Sequence, residues 1–202
     1  MIWPPPEVPL EGNLVRLEPL VEEHREPLRS VAGDEEIWRW IDRRVPEENG
    51  FDEWFDGRLL ARKLGDEHAY ATLTAAGAPL GSSSYLAPRP IHDGVEIGWT
   101  WLTPSAWRTG ANVEAKLLML GFAFEQLGCM RVELKTDARN ERSRGAMEAL
   151  PARFEGVFRK HMLMPVTGVR DSAYFSVVDD EWPAVRQNLE RRLAGAREVE
   201  SA

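Results

Sequence analysis

The segment of this chain best suited to binding an anion is a short turn around Gly110. It reads Trp107-Arg108-Thr109-Gly110-Ala111-Asn112-Val113 and lies between a predicted strand and a predicted helix. A glycine and small residues at a helix start leave backbone N–H groups free, and the helix dipole adds partial positive charge. Arg108 and Lys116 are placed to add charge-assisted contacts to phosphate oxygens. An ordinary helix cap with a tight turn is the simpler alternative, since one glycine is a weak signal.

Other reactive residue types are sparse. None of the four histidines stands at metal-ligand spacing from another, so a metal mechanism is not expected. Cys129 is the only cysteine, which excludes an internal disulfide and a cysteine-rich metal site. We interpret it as a small core residue. The 25 basic and 33 acidic residues give a net charge of −8. That balance argues against nucleic-acid binding and suits a cationic substrate such as an amine.

The elements that must position these residues follow from the spacing of apolar residues. Strands are predicted over residues 13–17, 69–74, 80–86, 95–102, 131–136, 154–164 and 171–178. Helices are predicted over residues 48–64, 112–127, 141–150 and 181–193, with two short ones within 22–41. Strand 95–102, the helix after it and strand 131–136 form a right-handed βαβ unit among antiparallel hairpins. The predicted fold is α/β or α+β, with one mixed, mostly antiparallel central sheet flanked by helices.

The chain is predicted to hold one domain. Residues 1–11 are rich in proline and indicate an extended arm, residues 12–194 form the domain, and residues 195–202 indicate a frayed tail. No apolar run is long enough to span a membrane, and the N-terminus lacks the pattern of a signal peptide. With a single cysteine, these features predict a cytoplasmic protein.

Four stretches, in this order, resemble the GNAT N-acetyltransferase superfamily and, within it, the Rim-type ribosomal-protein acetyltransferases. They are Val95-Glu96-Ile97-Gly98-Trp99-Thr100-Trp101-Leu102, the Gly110 turn, Asp137-Ala138-Arg139-Asn140-Glu141-Arg142-Ser143, and Phe154-Glu155-Gly156-Val157-Phe158-Arg159. The last is followed by Arg170-Asp171-Ser172-Ala173-Tyr174-Phe175-Ser176. The resemblance covers nearly the whole chain. It implies a GNAT-like single domain that uses acetyl-CoA as acyl donor and needs no metal.

The family's cofactor turn has Gln or Arg, two variable residues, Gly, any residue, then Gly or Ala. Gly110 matches the first glycine, whereas Trp107 stands at the Gln/Arg position and Asn112 at the second small position. The resemblance implies that the pantetheine arm pairs with the backbone at Trp101, Leu102 and Thr103. It also implies that the pyrophosphate is held by the N–H groups of Arg108, Thr109, Gly110, Ala111, Asn112 and Val113.

Asn140 and Ser143 lie three residues apart at a predicted helix start and share one face. In the family, the matching Asn bonds the pantetheine arm and the matching Ser or Tyr lies near the cofactor sulfur. A hydroxyl at a helix N-terminus can donate to the thiolate that acyl transfer expels. The alternative is that Asn140 is only an N-cap and Ser143 a surface residue.

Glu96 is the candidate base, because the family often uses a carboxylate on this strand. A lysine-type amine, with a pKa of about 10.4, needs such a base far more than an α-amine at about 7.7–8.0. A salt-bridged strand residue is the alternative for Glu96, and His92, Asp93 and His161 are weaker candidates. Trp99 and Trp38 are predicted to contact the acceptor, although aromatic residues in these positions often fill core.

The resulting prediction is direct transfer of an acetyl group to a primary amine, either a protein N-terminus or a small molecule. The alternative is a non-catalytic acyl-CoA-binding sensor or interaction module, which the departures at Trp107 and Asn112 keep open. No nucleic acid or membrane partner is expected. The sequence leaves open whether the chain forms a homodimer.

Overall fold

The computed structural model describes residues 1–42, 44–45 and 47–200, with side chains described to residue 195. Eight strands form one sheet: β1 Leu10–Glu11, β2 Val15–Pro19, β3 Glu67–Thr74, β4 Pro79–Arg89, β5 Gly94–Leu102, β6 Arg131–Asp137, β7 Arg153–Met164 and β8 Gly168–Val178. Six α-helices accompany them in the described ranges: α1 Arg25–Val31, α2 Glu35–Trp38, α3 Gly50–Leu64, α4 Ala111–Gly121, α5 Glu141–Ala149 and α6 Trp182–Glu200.

The strand order in the sheet is β1-β2-β3-β4-β5-β6-β8-β7. Among the described strands only β5 and β6 run parallel, joined through α4, and the other neighbours are antiparallel. The predicted mixed, mostly antiparallel sheet with a βαβ unit is therefore confirmed. Short hairpin connections suffice for antiparallel neighbours, whereas the parallel pair needs the crossover helix.

The helices cover the two faces of the sheet and bury two separate apolar clusters. On one face, α1, α2 and α3 bury a cluster that contains Trp38, Trp54 and Trp101. On the other face, α4 and α6 bury the larger cluster, with Met119 and Phe175 fully buried. The sheet is thus sandwiched between two layers of helices over most of its width.

Several element ends differ from the sequence-based expectation. Within the extended arm, Leu10–Glu11 pairs with β2, so the arm is tied to the sheet edge. The helix expected over 112–127 is α-helical to Gly121 and then changes to one π-helical turn, Phe122–Gln126. The last helix continues to Glu200, past the expected end at residue 193. Within the described ranges, no helix is both long and apolar enough to cross a membrane.

Candidate active site

The most unusual feature of the sheet is a gap between its two parallel strands. β5 and β6 pair only at Gly94–Arg131, Val95–Val132 and Glu96–Glu133. Beyond these pairs β5 runs on to Leu102 and β6 to Asp137, but no described strand lies between them. The β6-facing edge of β5 therefore offers backbone N–H and C=O groups that are free to pair with a bound molecule. We call this gap the β5–β6 cleft.

β5 contains a bulge in the stretch that borders the cleft. Ser82 pairs with Trp101 and Ser84 with Gly98, so two residues of β5, Trp99 and Thr100, stand opposite Ser83 alone. Trp99 has φ of 48°, a conformation that non-glycine residues seldom adopt. Such bulges bend a strand and redirect its side chains, and they are common beside active sites.

Lys116 supports this bulge from beneath. Its Nζ donates to Thr100 Oγ1 at 2.6 Å and to Ser83 Oγ at 3.2 Å, and the side chain is buried. Burial lowers the pKa of Lys116 to about 7. The prediction that Lys116 contacts a phosphate is wrong, because its position on α4 faces the sheet rather than the solvent end of the helix.

The Gly110 turn lies at the open end of the cleft. Thr103 and a 3-10 turn, Pro104–Ala106, follow β5, and Gly110 then caps α4 with φ of 87°. Thr109 Oγ1 donates to the carbonyl of Ala106 at 2.8 Å, which fixes the turn. The N–H groups of the first helical turn have no intrahelical acceptor and face outward along the helix axis, so they can bind an anion.

A stacking contact connects this turn to the far side of the cleft. The indole Nε1 of Trp107 donates to the carbonyl of Leu102 at 2.8 Å. The guanidinium of Arg142, on α5, lies over the same indole at 4.0 Å from the ring centroid. Trp107, the residue that departs from the family's Gln/Arg position, therefore contacts both β5 and α5.

α5 begins at the other side of the cleft with Asn140 as its N-cap. Asn140 Oδ1 accepts the N–H of Ser143 at 3.1 Å, so the N-cap interpretation is correct as far as this oxygen is concerned. The side-chain NH2 of Asn140 is left to donate to a bound group. Ser143 is half-buried, and its hydroxyl makes no hydrogen bond with the described residues.

Glu96 is buried where β5 and β6 separate, and its Oε2 accepts from Lys135 Nζ at 2.5 Å. Burial raises the pKa of Glu96, while Lys135 and Arg170 act in the opposite direction. A methyl group added at Gly98 would lie 3.0 Å from Glu96 Oε1, so this oxygen points along β5 towards the bulge. Glu96 is both salt-bridged and directed towards the cleft.

A row of polar side chains continues from Glu96 across the sheet to β7. Lys135 lies over the ring of Tyr174, and the hydroxyl of Tyr174 is 3.3 Å from His161 Nε2. His161 Nδ1 is 3.0 Å from Ser172 Oγ. Burial, with Lys135 and Arg170 nearby, lowers the pKa of His161, which favours the neutral ring. Sequence reasoning named His161 but missed Lys135 and Tyr174.

The other weak base candidates lie elsewhere. Asp93 forms an ion pair with the Met1 ammonium, and the neighbouring His92 is exposed. Both residues belong to the turn before β5, at the end of the sheet where β5 and β6 are paired. Within the described part of the chain, no three His, Cys, Asp or Glu side chains come together as metal ligands would.

The side chains of Trp38, Trp99 and Trp101 occupy different environments. Trp38 is fully buried, and its Nε1 donates to the carbonyl of Ala32 at 2.8 Å. Trp101 packs on it with ring centroids 5.0 Å apart, so both side chains fill core. Trp99 is half-buried at the bulge, where the guanidinium of Arg58 lies 4.3 Å above its ring. Of the three, only Trp99 has its side chain beside the cleft, whereas Trp101 belongs to the cleft edge of β5 through its backbone.

A narrow pocket opens near the cleft on the α1–α3 face. It lies between residues 39–42 and the β7–β8 turn, with Asp42, Asp137 and Arg170 among its lining side chains. Burial would raise the pKa of Asp137, but hydrogen bonds from Arg139 outweigh it and the pKa is lowered. The charge of Arg170 also acts on Glu96, so the pocket floor adjoins the candidate base.

A family model described as an acetyltransferase (GNAT) domain matches residues 15–153. A comparison with curated proteins gave no match. Among solved structures, a protein from T. thermophilus assigned as an acetyltransferase is 39% identical, with a TM-score of 0.83. That match covers 95% of this chain and 100% of the other. A GCN5-related N-acetyltransferase from Brucella melitensis is 33% identical over 94% of this chain and 86% of the other, with a TM-score of 0.85.

RimL, a ribosomal L7/L12 alpha-N-protein acetyltransferase solved in complex with coenzyme A, is more distant in sequence. It is 17% identical, with a TM-score of 0.73, over 86% of this chain and 99% of the other. At this identity the likeness concerns the fold alone. The domain match and the relatives above 30% identity decide the family: the chain belongs to the GNAT acetyltransferases and is an acyl-CoA-dependent acetyltransferase.

Proposed function

We propose that this chain transfers an acetyl group from acetyl-CoA to a primary amine by direct attack within a ternary complex. The observation that carries this proposal is the β5–β6 cleft, with the start of α4 at its open end and Glu96 at its base. The free backbone edge of β5 fits an amide-bearing arm, and the N–H groups at the start of α4 fit phosphate oxygens.

The donor side of the cleft is proposed to use the groups predicted from the sequence. The backbone at Trp101, Leu102 and Thr103 is proposed to pair with the pantetheine arm through the groups left free after the Leu102 carbonyl accepts from Trp107 and the Thr103 N–H donates to Leu80. The pyrophosphate is held by the N–H groups of the turn, namely those of Arg108, Thr109, Gly110, Ala111, Asn112 and Val113. The amide NH2 of Asn140, whose oxygen is engaged in capping, donates to the arm.

Acetyl-CoA supplies a thioester: the amine nitrogen bonds to its carbonyl carbon, the C–S bond breaks, and the amine loses one proton while the thiolate gains one. Ser143 is proposed to donate to the thiolate sulfur, at a helix start whose dipole favours negative charge. Glu96 is proposed to take the amine proton through Oε1, directly or through water.

The acceptor is proposed to approach from the α1–α3 face, through the pocket beside Asp42 and Asp137. Asp42 and Asp137 attract a cationic amine there, and Arg39 and Arg170 in the same lining reduce that attraction. Trp99 is proposed to wall the acceptor site, whereas the burial of Trp38 gives no support for direct contact. Both a protein N-terminus and a small amine fit this chemistry. The Rim-type motifs favour a protein N-terminus as the acceptor. The enzyme is proposed to be cytoplasmic.

The first experiment measures acetyl-CoA binding and CoA thiol release with a panel of amines. Binding followed by turnover on at least one amine supports the proposal, and binding without turnover on a broad panel supports the sensor alternative instead. Ser143→Ala should lower kcat about 10²-fold or more with little change in the Kd of acetyl-CoA. Ser30→Ala, an exposed serine of α1, is the matched control.

The role of Glu96 is tested by comparing two acceptors. Glu96→Gln should reduce kcat/KM much more for a lysine-type amine than for an α-amine, because only the former is almost wholly protonated at pH 7. Glu133→Gln is the control, since Glu133 is the register partner of Glu96 and is also salt-bridged. Equal losses for both amines would remove Glu96 from the role of base.

A further inference from the structure

The narrow pocket on the α1–α3 face contains a buried arginine whose terminal nitrogens the proposed function does not use. Arg170, on β8, lines this pocket and is only 8% exposed. Its Nε donates to Ser172 Oγ at 3.1 Å. Its Nη1 and Nη2 make no hydrogen bond or ion pair with any residue that the structure describes, and neither is enclosed by protein. These two nitrogens are therefore open to the pocket.

The two acidic residues of the same pocket already have partners. Asp42 accepts from the guanidinium of Arg44 at 2.6 and 3.0 Å. Asp137 accepts from the guanidinium of Arg139 at 2.7 and 2.9 Å. Burial lowers the pKa of Arg170, and the charge of Asp137 opposes that shift without forming an ion pair with it. A buried guanidinium without a paired carboxylate is unfavourable, and a bound anion would remove this penalty.

The strand register fixes where this guanidinium lies relative to the candidate base. Arg170 and Ser172 lie two residues apart on β8, so their side chains share one face of the sheet. Ser172 pairs with Asp137, which lies four residues along β6 from Glu133. Glu133 pairs in turn with Glu96, so Arg170 and Glu96 are on the same face. Four residues of strand span about 13 Å, so a group bound at Arg170 is several bonds away from an amine nitrogen at Glu96.

We propose that Arg170 binds a carboxylate of the acceptor, so that the preferred acceptor is an amine that carries a carboxylate several bonds away. This inference rests on the proposed function, because it takes the same pocket as the path of the acceptor. The free N–H groups of a guanidinium form a fork that matches a carboxylate, and the exposed Arg39 adds positive charge to the pocket lining. Two sources share this chemistry: a small amino acid with a distant amine, and a peptide with an acidic residue next to its N-terminal residue.

Matched acceptors measure this preference in the wild type. One pair is the dipeptide amides Ala-Glu-amide and Ala-Gln-amide, and the other is ε-aminocaproate and its amide. The kcat/KM from CoA thiol release is expected to be about 10- to 100-fold higher for the carboxylate member of at least one pair. A preference in the peptide pair alone identifies a peptide as the source of the carboxylate, and one in the other pair alone identifies a small amino acid. Turnover without a preference in either pair overturns the proposal.

Variants of Arg170 assign the preference to this residue. Arg170→Gln should lower the kcat/KM of the carboxylate member to that of its amide partner and leave the amide partner nearly unchanged. Arg170→Lys should keep part of the preference, because it keeps the charge but loses the fork. Arg186→Gln, at an exposed arginine of α6, is the matched control and should keep the full preference. A preference that survives Arg170→Gln overturns the proposal. The wild-type comparison needs no variant, so it remains decisive if Arg170→Gln fails to fold.

Binding of the acetylated products separates this proposal from the proposed function. Calorimetry in the presence of CoA compares the N-acetylated forms of both pairs, and this measurement needs no turnover. The wild type is expected to bind the carboxylate member of at least one pair about 10-fold more tightly than its amide partner, and Arg170→Gln to bind both equally. If no amine turns over, the proposed function fails and this measurement alone decides the carboxylate site: a tighter carboxylate member supports it, and equal affinities in the wild type overturn it.

Discussion

Lys116 should make the protein less stable at neutral pH than it would be with an apolar residue there. The side chain is buried, its ammonium contacts only two hydroxyl groups among the described residues, and burial lowers its pKa from 10.5 to about 7. At about 1.36 kcal/mol per pKa unit, the burial of this amine costs about 4 kcal/mol at pH 7. Lys116→Met removes that cost and leaves Ser83 and Thr100 hydrogen-bonded to each other at 2.6 Å.

The sign of the pH dependence follows from the lowered pKa. Between about pH 7 and 10.5 the unfolded chain holds a proton on Lys116 that the folded chain does not, so stability rises with pH through this window. Below about pH 7 both states are protonated, and the cost is fully present. The stability difference between Lys116→Met and wild type should therefore be largest near and below pH 7 and shrink towards pH 10.

Urea unfolding followed by tryptophan fluorescence, at pH 7, 8, 9 and 10, measures this difference. At pH 7 the variant should gain about 4 kcal/mol and roughly 10 °C in Tm. Lys63→Met, at an exposed lysine of α3, is the control and should change little. Burial also raises the pKa of Cys129, so this thiol contributes to the pH dependence of stability in both proteins. The difference in unfolding free energy between variant and wild type removes that shared contribution. A variant less stable than wild type, or a difference that is flat with pH, would refute this reasoning.

Three further predictions concern the cofactor side of the cleft. Gly110→Ala should lose about 1–2 kcal/mol in urea unfolding and raise the KM for acetyl-CoA, because φ is 87° and a Cβ would lie 3.1 Å from Leu14 Cδ1. Asn140→Asp should keep the cap of α5 and its stability but weaken acetyl-CoA binding in calorimetry, since the NH2 donor is lost; unchanged affinity would exclude that donor. Arg142→Ala should change the intrinsic fluorescence of Trp107 and alter the KM for acetyl-CoA more than the KM for the amine. A larger change in the KM for the amine would contradict the placement of this stacking contact on the donor side.

The sequence was informative about the cofactor unit because its signals are local. The spacing of apolar residues, the glycine at position 110 and the N-cap pattern at Asn140 each involve residues that are close in the chain. The structure has the strand, the helix and the cap that these signals predict. The π turn after Gly121 was not predicted, because the spacing of apolar residues indicated one continuous helix there.

The network of charged side chains around Glu96 and Lys135 was harder to predict from the sequence, because it depends on the register of the strands. Lys135 meets Glu96 across the parallel seam and Tyr174 across the next pair, contacts that join residues 39 apart in each case. Alternation along each strand predicts a shared face but not which residues stand opposite. Lys116 was misjudged for a related reason: its spacing from Gly110 suggested the anion end of the helix, whereas the helix phase directs it to the sheet.

The three residue pairs that join β5 to β6 are the only parallel pairing between the two halves of the sheet, in the part of the chain that the structure describes. Beyond them, continuity of the backbone hydrogen bonding is interrupted, so the sheet resembles two wings joined along a short seam. A molecule that fills the cleft with its own amide groups would act as the missing length of strand. Acetyl-CoA should then be a structural component as well as a substrate, raising Tm with its concentration and slowing amide hydrogen exchange in both wings together.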